Sequence, residues 1–322
     1  MDLIRSTLQG LELGPAMQGD LLTLYPLLSP QPAEPAYDLA RDAFERGTLE
    51  VTEVSEGGSV PTLAVVNGGE RPVLLLDGEE LIGAKQNRVL NVTVLVAAQQ
   101  TIAVPVSCVE AGRWQYRSRK FRDADWLMDR EGRARKMRRV RETLRRGSRA
   151  GDQGDVWSHV AEKSARLDAA SPTGAQEAIF ARHHDRMAQE RVRFEPAANQ
   201  VGAVFAVGGR IGGLELLDAP GTFARALPKL VLSHAVDALD LARPRWRKGQ
   251  DDVLEFLNAV AALEAEWYPA VGLGREARLG GPGLTGAALV AEERLVHLSV
   301  LEDPEGMPAR GEDRSQHTLF VD

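Results

Sequence analysis

Five short apolar runs follow one another between residues 49 and 109, and they constrain the fold of this 322-residue chain more than any other feature. Each run is rich in Leu or β-branched side chains and is bounded by turn-forming residues. The runs are Leu49–Val54, Val60–Val66, Pro72–Leu76, Val89–Ala97 and Thr101–Val109. Runs of this kind are typical of β-strands, and such short connections favour antiparallel neighbours over crossover helices. We therefore predict a β-rich N-terminal part that resembles an antiparallel sandwich or barrel.

The rest of the chain mixes helical and strand patterns. Five segments have the residue spacing of helices. They are Asp125–Arg146, Asp155–Leu167, Ala175–Arg191, Thr222–Ala242 and Val253–Glu266. Val201–Leu217 has the pattern of a β-hairpin that turns at Gly208-Gly209, and Gly286–Leu301 returns to strand. The predicted fold class is therefore α+β.

These patterns divide the chain into consecutive parts without a clear linker. Residues 1–112 are predicted to be β-rich, residues 113–195 to form a basic helical insertion, and residues 196–301 to be α+β, with a loosely held tail at 302–322. We expect a single composite domain over residues 1–322. Two domains are equally compatible with this length.

Composition indicates a soluble globular protein of a reducing compartment. Apolar residues make up 43% of the chain, charged residues 26%, and the formal net charge is −7. A single cysteine, Cys108, excludes an intramolecular disulfide. The first residues lack a signal-peptide layout, and no apolar stretch approaches the ~20 residues of a membrane-spanning helix. We therefore expect a cytoplasmic protein without a membrane span.

The negative net charge hides a strongly basic segment, Arg113–Arg149. It contains 15 Lys or Arg residues against five Asp or Glu residues, a local charge of +10, so the remainder of the chain carries −17. Such a segment can bind RNA phosphates, form a solvated face, or pair with acidic groups of the same chain. Aromatic side chains do not recur along it at stacking intervals. Self-neutralisation or a homo-oligomer contact is therefore at least as well supported as nucleic-acid binding.

The first candidate site is the polar loop Glu79–Arg88, which lies between two of the apolar runs. Its candidate residues are Glu79, Lys85, Gln86, Asn87 and Arg88. Together they supply a carboxylate, amide groups and cations that can orient a polar or phosphorylated ligand. The alternative is a solvated connection whose charges pair with one another, and composition alone favours it, because surface loops are usually polar.

The second candidate site is Ser107–Trp114, at the end of the last apolar run. Glu110, Arg113 and Trp114 combine a carboxylate, a guanidinium group and a flat ring, which suit a ribose, base or sugar. Cys108 beside a carboxylate is a poor nucleophile and is better explained as a small buried residue. For Trp114 alone, packing into the core at the strand end is the favoured alternative.

Motifs for metal or nucleotide cofactors are absent from the sequence. The six histidines lack the spacing of metal ligands, and there is no Walker loop, GxGxxG or GxSxG motif. The paired glycines flank strands and are typical of turns and bulges. We therefore predict no cofactor.

Three stretches together resemble a known family. They are LLLDGEELIGAKQNRVLNVTVLV (74–96) with PVSCVEAGRW (105–114), DQGDVWSHV (152–160) with SPTGA, and the hairpin and helix at 201–239. These stretches are similar to the ARPP-1 domain family, named for its association with ADP-ribosylglycohydrolase and rhodanese-phosphatase proteins. They span most of the chain, and the combination of GEELIGAKQNR with PVSCVEAGRW is the specific part of the resemblance.

The resemblance implies a pathway that uses NAD or handles ADP-ribose, and it favours a functional role for both candidate sites. We predict a protein that binds an ADP-ribose-like or other phosphorylated nucleoside ligand. An enzyme of this kind would also process that ligand. The predicted ligand-binding residues are Lys85, Gln86, Asn87, Arg88, Arg113 and Trp114, with the arginines on phosphate, the amides on ribose or base, and the ring for stacking.

In an enzyme, Glu79 or Glu110 would be the general base, since no histidine or activated nucleophile competes for that role. Two alternatives stay open. One is a non-catalytic interaction or oligomeric scaffold, and the other is RNA binding through residues 113–149.

Overall fold

The computed structural model describes residues 3–239, 241, 249–303 and 305. Within this part of the chain, strands and helices occur in separate runs and the strands pair almost entirely antiparallel, which confirms the predicted α+β class. The strands are β1 (Glu12–Leu13), β2 (Met17–Gln18), β3 (Leu22–Leu28), β4 (Asp38–Leu39), β5 (Leu49–Glu53), β6 (Thr62–Asn67), β7 (Val73–Leu75), β8 (Glu79–Gly83), β9 (Arg88–Leu90), β10 (Val94–Val96), β11 (Gln100–Cys108), β12 (Phe121–Leu127), β13 (Gln200–Val207), β14 (Arg210–Leu217), β15 (Glu264–Pro269), β16 (Arg275–Gly281), β17 (Leu284–Ala291) and β18 (Arg294–Glu302).

The helices lie mainly in the second half of the chain. They are α1 (Leu3–Gln9), α2 (Ala40–Glu45), α3 (Arg130–Leu144), α4 (Gln153–Arg166), α5 (Glu177–Arg182), α6 (His184–Arg191), α7 (Pro220–Ala235) and α8 (Gln250–Ala261). Among the described helices, none combines the length and the apolar character that a membrane span requires.

The largest sheet joins the two ends of the chain. Its order is β1-β3-β13-β14-β18-β17-β16-β15, all antiparallel, with β2 also paired to β3. Leu24 and Phe205 point to the face covered by α7, whereas Tyr25 and Val204 point to the face covered by α1 and α8. Because successive strand residues point to opposite faces, both faces of this sheet are buried. The first strands therefore share a sheet with the strands that follow residue 196.

Two smaller sheets hold the strands predicted between residues 49 and 109. One has the order β12-β8-β9-β11-β6-β5, and the other has the order β10-β7-β4, in which β4 runs parallel to β7. The predicted strand Val89–Ala97 divides into β9 and β10, which belong to different sheets. Asn91 and Thr93 lie at the division and are buried, with their side chains hydrogen-bonded to other segments. Polar side chains with partners elsewhere in the fold therefore split what is locally one apolar run.

Three of the predicted helices have a wrong end, and a fourth, Ala175–Arg191, is divided at His183 into α5 and α6. The helix predicted over Asp125–Arg146 begins too early, because β12 continues to Leu127 and pairs with β8. Helix α3 begins only after Asp129, whose side chain caps it by accepting a hydrogen bond from the Gly132 N–H at 3.1 Å.

The other two errors are at helix ends. The helix predicted to end at Glu266 ends at Ala261, and β15 then pairs with β16. The helix predicted to reach Ala242 ends at Ala235; residue 242 lies outside the described residues, as does most of the predicted tail 302–322. For the helix that ends at Ala261, a partner strand distant from it in sequence sets the boundary, whereas the helix that ends at Ala235 continues as a 3-10 turn over Val236–Ala238.

The basic helix α3 lies inside the protein, packed against β17, β18 and α4. Arg133 and Lys136 on this helix are 0% and 1% exposed, as deeply buried as Val140 at 0%. Charged side chains are rarely buried to this extent unless they are paired. An element that looks like a solvated helix by composition is therefore held in place by its charges.

Acidic groups from distant segments pair with the cations of α3 and its flanks. The pairs are Arg130 with Asp237, Arg133 with Glu215, Lys136 with Asp77, Arg138 with Asp303, Arg141 and Arg145 with Glu266, and Arg149 with Glu276. Much of the local positive charge is thus balanced by the acidic remainder of the same chain. This is the self-neutralising arrangement among the alternatives for residues 113–149.

Candidate functional site

The polar segment 79–88 forms a buried β-hairpin rather than a solvated loop. Its arms belong to β8 and β9, and the turn passes through Gly83 and Ala84 at φ angles of 134° and 40°. Positive φ angles favour glycine, and at Ala84 they occur in a tight turn that surrounding contacts must hold. Lys85 is the one member of this segment that is not buried. Polar groups so far from water need partners within the protein.

The two glutamates of β8 point in opposite directions. Glu79 Oε1 accepts a hydrogen bond from Lys229 Nζ at 3.0 Å. Glu80 lies on the other side and accepts from Trp126 Nε1 and Gln176 Nε2, both at 2.7 Å. The alternation of strand side chains accounts for this separation. Glu79 therefore belongs to a separate ion-pair cluster and does not meet the other predicted site residues.

The two predicted segments converge at the hairpin turn. Gln86 Nε2 donates to the carbonyl of Glu110 at 2.8 Å, and the Asn87 N–H donates to Glu110 Oε2 at 3.1 Å. Arg113 Nη2 donates to the same carboxylate oxygen at 2.6 Å and to Asn87 Oδ1 at 3.1 Å. Arg113 Nη1 also reaches the carbonyl of Ala84 at 2.7 Å. These charge-assisted bonds make Arg113 a brace between the turn and the Glu110 segment.

Aromatic rings and cations meet at the surface beside this brace. Trp114 and Tyr116 are 44% and 50% exposed, so the expectation that Trp114 packs into the core is wrong. Lys85 Nζ lies 5.3 Å from the ring centroid of Trp114 and 5.1 Å from that of Tyr116. The guanidinium carbon of Arg88 lies 5.5 Å from the Trp114 centroid, on the protein side. These distances are within the range of cation–π contacts.

Arg88 is fully buried beneath Trp114. Its Nη1 donates to Gln86 Oε1 at 3.0 Å, and its Nη2 lies 3.7 Å from Glu53 Oε1. Burial lowers the pKa of Arg88, against the opposing effect of the neighbouring Cys108 and Glu53. Cys108 lies directly opposite Arg88 in the strand register, and burial raises the pKa of its thiol to about 11. Cys108 is therefore a neutral, buried thiol, as the sequence predicts.

Other residues complete the site without having been predicted. Thr173 Oγ1 donates to Glu110 Oε1 at 2.8 Å, and Glu177 Oε2 accepts from Asn87 Nδ2 at 3.3 Å. Thr173 lies within the SPTGA stretch, so that motif is the sequence signal that points to it. Glu53 and Glu177 have no comparable local signal, because each reaches the site from a different element of the fold.

Glu80 and Glu110 have opposite electrostatic environments. Burial raises the pKa of Glu80 to about 7, the charge of Glu177 adds to this, and the hydrogen bonds from Trp126 and Gln176 oppose it. Burial also disfavours ionisation of Glu110, but bonds from Arg113, Thr173 and the Asn87 N–H outweigh it and hold the pKa of Glu110 below its ordinary value. Glu110 is therefore a carboxylate at neutral pH, whereas Glu80 titrates near it.

Replacing Glu80 by Gln is expected to change the pH dependence of stability. Because the pKa of Glu80 is raised in the folded state, the native protein keeps a proton that the unfolded chain loses between pH 4.5 and about 7. The stabilisation is present below pH 4.5 and lost as the pH rises towards 7. Urea unfolding should show the wild-type free energy of unfolding falling by about 3 kcal/mol relative to Glu80→Gln over this window.

The exposed Glu56 provides a matched control for this substitution. Glu56→Gln should follow the wild-type pH profile throughout. Parallel profiles for wild type and Glu80→Gln would contradict a titration of Glu80 near neutrality.

A second polar cluster, not predicted from the sequence, lies at the start of α3. Asp129, Glu131 and His159 offer ligand atoms within 4.8 Å of one another. His159 Nε2 lies 2.9 Å from Asp129, and Lys163 Nζ lies 3.4 Å from Glu131 Oε2 and 2.7 Å from Asp237 Oδ1. The lysine ammonium already occupies the position that a cation would take between the carboxylates. We therefore interpret the cluster as an internal ion-pair network.

A family model matches most of the chain. No curated protein and no solved structure matches the chain. The model of the ARPP-1 family, described as ARG and Rhodanese-Phosphatase-superfamily-associated Protein domain, matches residues 10–301. This range includes the hairpin, the Glu110–Trp114 segment and the SPTGA loop, which form the site together. The chain therefore belongs to the ARPP-1 family.

Proposed function

We propose that this protein binds an ADP-ribose-like or other phosphorylated nucleoside ligand at the surface formed by Lys85, Trp114 and Tyr116. One observation carries the proposal. Two aromatic rings, 44% and 50% exposed, lie next to the ammonium group of Lys85 at the edge of a buried polar hairpin. The family name, with its association to ADP-ribosylglycohydrolase, supports a ligand of this class.

The chemistry of these three side chains suits the two ends of a nucleotide. An exposed ring can stack on a nucleobase, which contributes about 1–3 kcal/mol per base. The ammonium group of Lys85 has three N–H donors, of which one reaches the carbonyl of Gly57 at 2.7 Å. A phosphate placed beside Trp114 would accept hydrogen bonds from the others. Base and phosphate would thus bind side by side.

Three of the predicted ligand-binding residues have positioning roles in this proposal. The side chains of Gln86 and Asn87 and both Nη atoms of Arg113 are bonded to protein partners, so these residues hold the turn and the Trp114 segment in register. Lys85 and Arg88 provide the positive charge. This assignment replaces the expectation that Arg113 binds phosphate directly.

Processing of the ligand would require Glu110 as the general base. Its Oε2 is held by Arg113, whereas Oε1 accepts only the hydroxyl of Thr173 among the described residues. A substrate hydroxyl or water that displaces the Thr173 hydroxyl would place its proton on Oε1.

The proposal also includes a cytoplasmic location, to which the reduced, buried thiol of Cys108 adds support.

Isothermal titration calorimetry with ADP-ribose, NAD, AMP and adenosine tests the proposal. We expect saturable binding, which Trp114→Ala should weaken about 5- to 100-fold through the loss of stacking. Trp157→Ala is the matched control, because Trp157 is 37% exposed but lies on α4, away from Lys85. It should leave the affinity unchanged.

Two results would contradict ligand binding at this surface. One is equal weakening by Trp114→Ala and Trp157→Ala. The other is no saturable binding of any of the four compounds. In the second case, a salt-sensitive oligomer in light scattering would favour the non-catalytic scaffold instead.

A further inference from the structure

Arg88 has hydrogen-bonding capacity that the protein does not use. Its side chain is 0% exposed, and only Nη1 has an acceptor, Gln86 Oε1 at 3.0 Å. Nε and Nη2 have no hydrogen-bond partner within the described residues. These two atoms form one side of the guanidinium fork, the geometry that binds two oxygens of a phosphate at once. Buried N–H groups without an acceptor are costly, so these two atoms point to a missing hydrogen-bond partner.

Glu53 lies next to these two nitrogen atoms and, in the part of the chain that the structure describes, also has an oxygen atom without a hydrogen-bond partner. Its side chain is 3% exposed, and Oε2 has no hydrogen-bond partner within the described residues. The shortest ion-pair distance, from Arg88 Nη2 to Glu53 Oε1, is 3.7 Å, which is too long for a hydrogen bond. Two opposite charges are thus held close together in the interior without being bonded to each other.

Trp114 and Gly58 close this space from the solvent side. The Trp114 ring centroid lies 5.5 Å from the Arg88 guanidinium. A Cβ atom at Gly58, whose φ is +74°, would lie 3.3 Å from Glu53 Oε2 and 3.4 Å from Trp114 Cζ2. The residues on either side, 54–57 and 114–120, are exposed. The unpaired groups therefore lie directly beneath a surface cover of two exposed loops.

We propose that Arg88 and Glu53 form the subsite for the phosphorylated sugar end of the ligand, reached when Trp114 moves away from Arg88. Arg88 Nε and Nη2 donate to two phosphate oxygens, and Glu53 Oε2 accepts a hydrogen bond from a neighbouring sugar hydroxyl. This inference rests on the proposed function, because Trp114 then stacks on the base while the sugar phosphate lies beneath it.

The pairing of one cation with one anion defines the class of ligand. A guanidinium fork alone would accept any phosphate or carboxylate. Glu53 repels a negative group on its own side of the bound phosphate, and as a carboxylate it accepts hydrogen bonds but donates none. The favoured ligand therefore carries a phosphate next to neutral hydroxyl groups. A sugar phosphate meets this requirement, whereas a dicarboxylate does not.

Calorimetry with ADP-ribose, ribose 5-phosphate and adenosine tests the subsite in wild type, Arg88→Gln and Glu53→Gln. Adenosine carries the base without a phosphate. We expect Arg88→Gln to weaken ADP-ribose and ribose 5-phosphate about 10- to 100-fold, because it removes charge-assisted hydrogen bonds to the phosphate. Glu53→Gln should reduce the preference for ribose 5-phosphate over inorganic phosphate, titrated alongside, because it removes the carboxylate that accepts from the sugar hydroxyl and repels a second negative group. The affinity for adenosine should change less than about twofold. Circular dichroism and the melting temperature of each variant verify that it is folded.

Gly58→Ala provides a variant that keeps both charges. Its methyl group would lie 3.2 Å from Lys85 Cδ, 3.3 Å from Glu53 Oε2 and 3.4 Å from Trp114 Cζ2, at a φ of +74° that strains an alanine. It should therefore weaken ribose 5-phosphate more than adenosine. Gly57→Ala is the control, because the Cβ atom there would meet only the Ser55 hydroxyl, at 3.7 Å.

The outcomes separate this inference from the proposed function. Equal effects of Arg88→Gln on ADP-ribose and adenosine, no effect on either, or an unchanged preference for ribose 5-phosphate in Glu53→Gln would make the pair a purely structural feature and overturn the inference. Adenosine binding that is lost in Trp114→Ala would still support the proposed function. Binding of ribose 5-phosphate that depends on Arg88, without any binding of adenosine, would support the subsite and contradict the stacking role of Trp114.

Discussion

Replacing Glu215 by Gln is expected to lower the free energy of unfolding by about 3–5 kcal/mol, since it leaves a buried cation without its anion. Glu215 is 0% exposed, and its Oε1 accepts a hydrogen bond from Arg133 Nη1 at 2.6 Å. His234 and His297 approach the same carboxylate at 3.5 and 3.6 Å. Loss of the negative charge would leave the Arg133 guanidinium only the longer ion pair with Asp77, at 3.9 Å, and Asp77 already pairs with Lys136.

Urea unfolding at pH 7.5 measures this loss, with Glu255→Gln on the exposed side of α8 as the matched control. The control should change the free energy of unfolding by less than about 0.5 kcal/mol. In Arg133→Met/Glu215→Gln the cost should be smaller than in Glu215→Gln alone, because no charge is then left unpaired. A single-variant cost as small as that of the control would show that the buried pair does not hold α3 in place.

Lys229→Met is expected to lower the free energy of unfolding by about 3 kcal/mol at pH 7.5, and by progressively less as the pH falls. Lys229 Nζ lies 3.0 Å from Glu79 Oε1 and 2.5 Å from Asp123 Oδ1, and all three side chains are largely buried. Burial and the charge of Glu79 already raise the pKa of Asp123 to about 6, against the opposing charges of Lys229 and Arg41. Without the lysine, two buried carboxylates would lack their shared cation.

Protonation explains the direction of the pH effect. In the variant, the folded-state pKa of Asp123 should rise further above its unfolded value, because the lysine charge that opposes this rise is gone. The native state then binds a proton that the unfolded chain does not. The destabilisation should therefore diminish as the pH falls from 7.5 towards 5. Lys120→Met is the control, because Lys120 is 63% exposed and pairs with the exposed Glu50. A loss in Lys229→Met that stays constant from pH 5 to 7.5 would contradict this account.

The strands between residues 49 and 109 are predictable because their evidence is local. Alternation of apolar side chains and turn-forming glycines place β5, β6, β7 and β11 close to the observed residues. Helix ends are less predictable, as residues 125–127 show. Their sequence is compatible with a helix, but hydrogen bonds to β8 extend β12 to Leu127, and Asp129 then caps α3. The local sequence pattern carries no information about which strand will pair with these residues.

The candidate site likewise has features that the sequence predicts and features that it does not. The chemistry of the hairpin and of Glu110–Trp114 is visible in the sequence, and the structure brings these two segments together through Arg113. The sequence does not show which of Glu79 and Glu80 faces the site, because that depends on which side of β8 meets the start of α5 and which meets α7. Glu53 is not visible for a similar reason, since it comes from a neighbouring strand and carries no motif of its own.

The basic segment, residues 113–149, shows most clearly what the sequence determines and what the tertiary structure determines. Composition by itself determines that residues 113–149 carry +10 and the remainder −17, so attraction between them is built into the chain. Only the tertiary structure decides that Arg133 and Lys136 are buried against Glu215 and Asp77 instead of facing solvent or RNA. The physical reason is that hydrophobic periodicity acts over a few residues, whereas an ion pair can join any two residues that packing brings together.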